Sequence, residues 1–341
     1  MRITTKAAVS AVTLSVALLA GCASPGAGGG ATTSATGRPS GAAGPAVVGK
    51  PQNKPEDLKV LDTITVNGTD PAKTPTAQFA KTPVVVSSTT VKVLREGSGP
   101  ESTSRDAVSV KQTLFVGKDG KQLDSNYEDP QGSYFRLGSG QTIPGLLSAF
   151  TGVRAGSRIL FAIPPAEAFG PAGRKEAGIG PGDDLVVVAD ILSVTTPLGS
   201  AQGTAVPPVP GHPTVTFDAA AGPATTVPQS APPTDMVSQV LVQGAGREVK
   251  QGQTVVAHYT GVLWKDGSTF DSSWQRKEPI EFALGSGGVI PAWDKGLTGK
   301  TVGSRVLLIV PPKDGYGDKG SPPKIAGTDT LVFVIDILDA A

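Results

Sequence analysis

From Ala257 to Arg276 the chain reads AHYTGVLWKDGSTFDSSWQR, gathering Tyr259, Trp264, Phe270 and Trp274 about one acid, Asp271. Only 5% of the 341 residues are aromatic, so this concentration asks for a reason. The question is what chemistry would need such a set of rings around one carboxylate. Several chemistries fail on inventory. There are two histidines and no clustered carboxylates, so no metal site and no Ser-His-Asp set can be assembled. His258 alternates with Tyr259 along a strand and points to the opposite face, where a surface role is expected. The single cysteine, Cys22, leaves no thiol for disulfides or catalysis. Gly285 to Gly288 (GSGG) precede a short helix, but no Lys-Ser or Lys-Thr follows to complete a phosphate loop.

The elements that must position these rings are mostly strands. QTVVAHYTGVL (253–263), SRVLLIVP (304–311) and DTLVFVIDIL (329–338) are β-branched and aromatic runs, and Asp266-Gly267 marks a hairpin. One short helix is predicted over Pro291–Leu297, with Pro at its first position and Gly299 just beyond. The expectation is α+β: an antiparallel sheet packed on one short helix. That unit occurs twice. GSGPE (97–101) aligns with GAGRE (244–248) at an offset of 147, which holds through KDG, Asp-Ser, LGSG, Ile-Pro and GSR to FGP (169–171) over YGD (316–318). Such an ungapped match indicates internal duplication. PTAQF (75–79) answers PTVTF (213–217), so each copy should begin with an extra strand.

Arg2 and Lys6 precede an apolar run, Ala7 to Ala20, too short to span a bilayer but suited to a secretory signal. It ends in Leu19-Ala20-Gly21-Cys22, which resembles the lipobox of bacterial lipoproteins and implies attachment of a diacylglycerol to the Cys22 sulfur, followed by cleavage that leaves Cys22 as the first mature residue. Gly, Ser, Ala, Thr and Pro then dominate a stretch with little to bury, a flexible tether. A Pro-rich break, TPLGSAQGTAVPPVPG (196–211), divides the remainder. The expected organisation is a signal segment over 1–22, a tether over 23–57, a first domain over 58–196, a linker over 197–211 and a second domain over 212–341. Lys+Arg 30 against Asp+Glu 29 provides no field for nucleic acid.

VVAHYTGVL, FDSS, LGSGGVIPAWDKGL, VPPKDGYG and TLVFVIDIL resemble, in order and spacing, the FKBP family of peptidyl-prolyl cis-trans isomerases, which also bind macrolides such as rapamycin. The resemblance spans Met236 to Ala341, and the first copy shares the frame from Thr89 to Val194. It implies two FKBP-like domains and no cofactor or metal. It also implies a proline cavity lined by Tyr259, Phe270, Asp271, Ile290, Trp293, Tyr316 and Phe333 as catalytic residues, with Trp293 as floor. Ile280, Phe282, Val289 and Ile325 complete the substrate contacts. Ile280 stands where many members have an aromatic. Pro291 stands where a basic residue is frequent, leaving the Ile290 N–H free for the substrate carbonyl. The implied partners are proline-containing exported polypeptides, macrolides, and the membrane through a lipid anchor on the extracytoplasmic face. Two rival readings are a non-catalytic chaperone or scaffold that grips proline-containing segments and an envelope receptor for a small apolar ligand.

Comparison of the copies separates cavity from packing. Leu284 and Leu137, Leu307 and Leu160, and Phe282 and Phe135 stay apolar in both. The cavity positions change: Tyr259 aligns with Gln112, Trp293 with Leu146, Phe270 with Leu123, Tyr316 with Phe169, and Phe333 with Val187 after a one-residue slip. A buried, unpaired glutamine costs about 1–3 kcal/mol, so Tyr259, Trp293 and Tyr316 are assigned to the cavity rather than to the core. Asp271 persists as Asp124, which fits a structural Asp-Ser turn as well as a ligand contact. The second copy is expected to be the active one and the first degenerate.

Overall fold

The computed structural model describes residues 49–341 except Thr69, Gly140 and Gln141; Cys22, the signal segment and the tether up to residue 48 lie outside the described residues. The chain forms two compact units. One runs through Ser104 and resumes over Val110–Leu192, and the other takes Arg105–Ser109 and Ser193–Ala341.

In chain order the first copy carries α1 (Pro55–Leu61), β1 (Ile64–Asn67), β2 (Thr76–Phe79), β3 (Thr90–Arg95), β4 (Ala107–Val116), β5 (Gln122–Ser125), β6 (Ser133–Arg136), α2 (Pro144–Phe150), β7 (Arg158–Ile163) and β8 (Leu185–Thr195). Its sheet has the order β3-β7-β8-β4-β5, with β6 also on β4. The second carries β9 (Gly203–Ala205), β10 (Thr214–Asp218), β11 (Gly222–Thr226), β12 (Val237–Gly244), β13 (Thr254–Leu263), β14 (Thr269–Ser272), α3 (Ser273–Arg276), β15 (Ile280–Ala283), α4 (Pro291–Leu297), β16 (Arg305–Val310) and β17 (Leu331–Ala340). Its order is β14-β13-β17-β16-β12-β9, with β15 also on β13. The α+β expectation holds, and α4 has the expected bounds. Pro291 opens α4 where its missing N–H costs nothing. At seven residues this helix is too short to stand alone, so burial of Trp293 and Leu297 against the sheet must hold it.

Two stretches expected to be free of structure are not. The nominal tether already carries α1 from Pro55, and before it Lys54 Nζ reaches Ser87 Oγ at 2.9 Å while Asn53 Oδ1 accepts from the Val91 N–H at 2.8 Å. The nominal linker contains β9, which pairs with the edge of β12 through Gly203↔Gly244, Thr204↔Gln243 and Ala205↔Val242.

The alternation of β13, β16 and β17 sorts their apolar side chains onto two faces. Tyr259, Leu308 and Phe333 join α4 in one cluster, while Val262, Leu307, Val332 and Val334 form another with Trp264. The extra strands seen in the sequence are β2 and β10, each half of a two-stranded hairpin. Val215 of β10 packs on the second cluster, and Val66, Ala77 and Phe79 pack on the matching face of the first unit. Each sheet is thus covered by its helix on one side and by a hairpin on the other.

Beneath the second hairpin lies a buried ion pair. Arg305 donates through Nε and Nη2 to Asp336 at 2.6 and 2.7 Å, and its guanidinium sits 3.7 Å from the Phe217 ring centroid. The first unit repeats the pair as Arg158 and Asp190, to which Tyr127 adds a 2.6 Å hydrogen bond. Two-pronged geometry offsets the cost of burying both charges.

Candidate functional site

The site is built on one face of the second sheet. Tyr259 projects from the middle of β13, Phe270 and Asp271 from β14, Phe333 from β17, Phe282 and Ile280 from β15, and Trp293 from the first turn of α4. Tyr259, Phe270, Trp293, Ile325 and Phe333 are buried in one cluster, with Ile280, Phe282, Val289 and Ile290 packed partly exposed against it. The rings meet edge to face: Tyr259 to Trp293 at 5.2 Å, Phe282 to Trp293 at 5.3 Å, and Phe333 to both Phe270 and Trp293 at 5.4 Å. This is the arrangement that aromatic quadrupoles favour. Gly261 makes room for it. A Cβ there would lie 2.5 Å from Phe270 Cζ and 3.1 Å from Phe333 Cε1, so any side chain would push both rings out of place.

Ten of the eleven expected pocket residues surround this cluster or its polar edge. Tyr316 stands apart at 42% exposure, on the loop after β16, where burial and then the charge of Asp271 raise its phenol above the ordinary value. Ile290 caps α4 in extended conformation, and its N–H has no acceptor among the described residues. The assignment of Tyr259 and Trp293 to a cavity rather than to the core needs correction, because both are buried members of the core cluster, at 8% and 4% exposure.

The polar edge is a three-membered network. The Tyr259 hydroxyl donates to Asp271 Oδ2, Arg276 Nη1 donates to Asp271 Oδ1, and Arg276 Nη2 donates to the Tyr259 oxygen at 3.1 Å. The Ser272 N–H adds a 2.9 Å bond to Asp271. Burial pushes the Tyr259 phenol up to about 12, aided by Asp271, so it stays neutral at physiological pH. Burial also raises the Asp271 carboxyl, but the hydrogen bonds from Tyr259 and Arg276 outweigh it and leave Asp271 below the usual carboxylate range. Asp271 is thus an ionised anchor for the phenol, carried on β14 opposite Gly261 rather than in a turn. Sequence reasoning missed Arg276. It follows Asp271 by five residues across α3, a single turn that Ser272 caps through the Gln275 N–H. The contrast between copies carried the signal, since the aligned residue is Asp129.

Three other expectations need correction. His258 is buried, not at the surface: its Nδ1 lies 2.8 Å from Ser273 Oγ and its ring stacks 4.2 Å from that of Trp274. Trp274 and Trp264 do not gather about Asp271. Trp264 lies in the hairpin-side cluster and Trp274 contacts Phe217 of β10. Alternation along β13 puts His258 and Trp264 on the face opposite Tyr259, whereas Trp274 is carried on α3 and turned toward Phe217 of β10.

The first unit keeps the frame and changes the filling. Pairing of Phe161 with Val187 in one sheet and Leu308 with Phe333 in the other confirms the one-residue slip. Against the expectation that the Tyr259 position would not bury an unpaired amide, Gln112 stands there with its Oε1 buried and with no hydrogen-bond partner among the described residues. Phe150 and Phe161, fully buried and 5.5 Å apart, occupy the positions of Leu297 and Leu308. Ring volume therefore comes from the core side of α2 and β7 instead of from a tryptophan floor.

Both halves match the family model for the FKBP-type peptidyl-prolyl cis-trans isomerase, over residues 99–188 and 245–338, together more than half of the chain. The chain belongs to this family. Its FKBP domains are arranged in tandem, and curated relatives resemble one domain at a time. An FK506-binding protein of Streptomyces anulatus is 44% identical over 112 residues, 33% of this chain and 90% of that protein. The peptidyl-prolyl cis-trans isomerase FKBP15-1 of Arabidopsis thaliana is 50% identical over 91 residues, 27% of this chain and 59% of its own length. The isomerase FKBP2 of Homo sapiens is 46% identical over 89 residues, 26% of this chain and 62% of its own. The chain spans less than two thirds of the plant and human relatives.

Proposed function

We propose that the second FKBP domain isomerises Xaa-Pro bonds in exported polypeptides at the cell envelope, and that the first domain does not. The observation that carries this is the assembled pocket of the second unit beside the refilled one of the first. Rotation about an Xaa-Pro bond breaks amide resonance and forms no covalent bond, so no nucleophile is required. Phe270, Phe333 and the Trp293 floor exclude water from the prolyl ring, and the Ile290 N–H holds a substrate carbonyl. Tyr259, kept neutral and oriented by Asp271 and Arg276, supplies a fixed phenol dipole at the rim. A dry cavity with few, fixed donors favours the twisted amide over the planar one. The same cavity would take a macrolide such as rapamycin or the FK506 for which the Streptomyces relative is named.

Support for the envelope comes from Arg2, Lys6, the apolar run and the LAGC stretch ending in Cys22. Cys22→Ala should then abolish fatty-acid labelling. Labelling equal to that of the parent would end the lipoprotein reading. The isomerase assignment is tested with the full chain and a Leu-Pro peptide, whose uncatalysed exchange takes tens to hundreds of seconds. Tyr259→Gln with Trp293→Leu should remove most of the acceleration, while Gln112→Ala should leave it unchanged. If the two variants behave alike, the division of labour is wrong. A chain that binds proline peptides without accelerating exchange would instead be a scaffold.

A further inference from the structure

Beside the ring cluster of the second unit lies a cation that has no carboxylate partner among the described residues. Lys324 lies on the loop between β16 and β17, beside Ile325, which lines the cavity. Paired hydrogen bonds hold the loop there, from the Ser321 N–H to Ile325 O at 2.8 Å and from the Ile325 N–H to Ser321 O at 3.1 Å. From this position the Lys324 ammonium crosses to β14 and donates to Phe270 O at 2.7 Å, next to the Asp271 peptide. An ammonium has three protons, and among the described residues the other two meet no protein acceptor. The neighbouring charges are already committed, since Asp271 holds Tyr259 and Arg276 while Arg276 holds both of them.

The first unit provides a contrast. Its loop is one residue longer, and the Arg174–Ile179 bridge matches Ser321–Ile325, so Gly178 stands at the Lys324 position. A Cβ on Gly178 would come 3.2 Å from Leu123 Cδ2, the counterpart of Phe270. A lysine at this position therefore accompanies the ring cluster of the second unit, whereas the cations of the first unit's loop are Arg174, set against Phe169 and paired with Glu176, and Lys175.

We propose that Lys324 is a specificity-determining residue, drawing the second domain toward substrates with a carboxylate on a residue adjoining the proline. The inference rests on the isomerase reading above. Lys324 sits at the rim, where attraction for a substrate carboxylate is modest and weakened by salt.

The test measures kcat/KM of the full chain at low ionic strength on peptides with Glu, Leu or Lys before the proline, and on a second series varied after it. In at least one series Glu should exceed Lys by about threefold to tenfold, the range expected of an exposed charge attracting one partner and repelling the other. Lys324→Met should bring that ratio close to one, Lys324→Glu should invert it, and 0.5 M salt should flatten it in the parent. A lysine that only staples the loop would lower all peptides together in these variants and leave the ratio untouched, which would overturn the proposal. If Leu-Pro is turned over but neither series discriminates, this inference alone fails. If the parent turns over no peptide, the isomerase reading fails and takes this one with it.

Discussion

Arg276 uses one guanidinium to hold the two polar groups of the pocket, and the consequence is a site whose charge state hardly changes with pH. Asp271 titrates below the usual carboxylate range and Tyr259 near 12, so neither changes protonation between about pH 5 and 9. The rate of the second domain should be flat across that window. For stability the signs oppose. The depressed Asp271 contributes above its unfolded value and loses that contribution as pH falls through its folded value. The raised Tyr259 contributes fully below its unfolded value of 10.0 and loses it as pH rises toward 12. A bell-shaped rate profile centred near neutrality would show that another group takes part. The pocket rings carry a second prediction. Because Tyr259 and Trp293 are core members as well as walls, Tyr259→Gln with Trp293→Leu should cost about 2–5 kcal/mol in addition to activity. Adding Leu297→Phe and Leu308→Phe, the residues of the first unit, should recover much of the melting temperature and none of the rate. No recovery would mean that Phe150 and Phe161 do not refill the first cavity.

At the scale of elements, the sheet-and-helix unit, its duplication and the bounds of α4 were legible because β-branched runs, an N-terminal proline and an unbroken offset are local signals. Ten of the eleven residues named from the family resemblance share one core cluster or its polar edge. Arg276, the buried His258 and the two misplaced tryptophans were not legible, since each depends on which face of β13 or α3 meets which neighbour. The hairpins show the same limit: β2 and β10 were visible as extra strands, but nothing local said that they cover the face opposite the pocket. Leu307→Ala tests that cover. Leu307 is fully buried on the hairpin side, with Leu308 on the pocket side. The substitution should cost about 2–5 kcal/mol in thermal or denaturant unfolding while kcat/KM of the folded protein stays close to that of the parent. A change in rate larger than the change in folded fraction would mean that the two faces are coupled through β16.

At the scale of the whole molecule, the segment between the two sheets matters most. Residues 197–211 read as a spacer, yet β9 lies along β12 close enough that a Cβ on Gly203 would fall 1.9 Å from Gln243 O. Before β9, the Ala201 N–H donates to Asp336 Oδ2 at 2.8 Å and the Gln202 N–H to Gly303 O at 2.8 Å. Among the described residues the first sheet has no such strand, and there the Arg95 guanidinium takes the matching acceptors, Asp190 Oδ1 and Gly156 O, at 3.1 and 3.4 Å. A fragment cut at His212 would therefore expose the backbone of β12, with Val240 and Val242 beside it, as a template for pairing between molecules. Such a fragment should elute from size exclusion as dimers and larger species at concentrations where one beginning at Ser193 runs as a monomer. Proteolysis offers an independent reading, because a true spacer is the first place a protease cuts. Cleavage within 201–206 should be slower than at the exposed stretch 207–211, and equal rates would mean that β9 is not held. What looks like a hinge thus behaves as a seal: the join between the two copies guards the second copy's open edge, and trimming it should leave that edge free to pair between molecules.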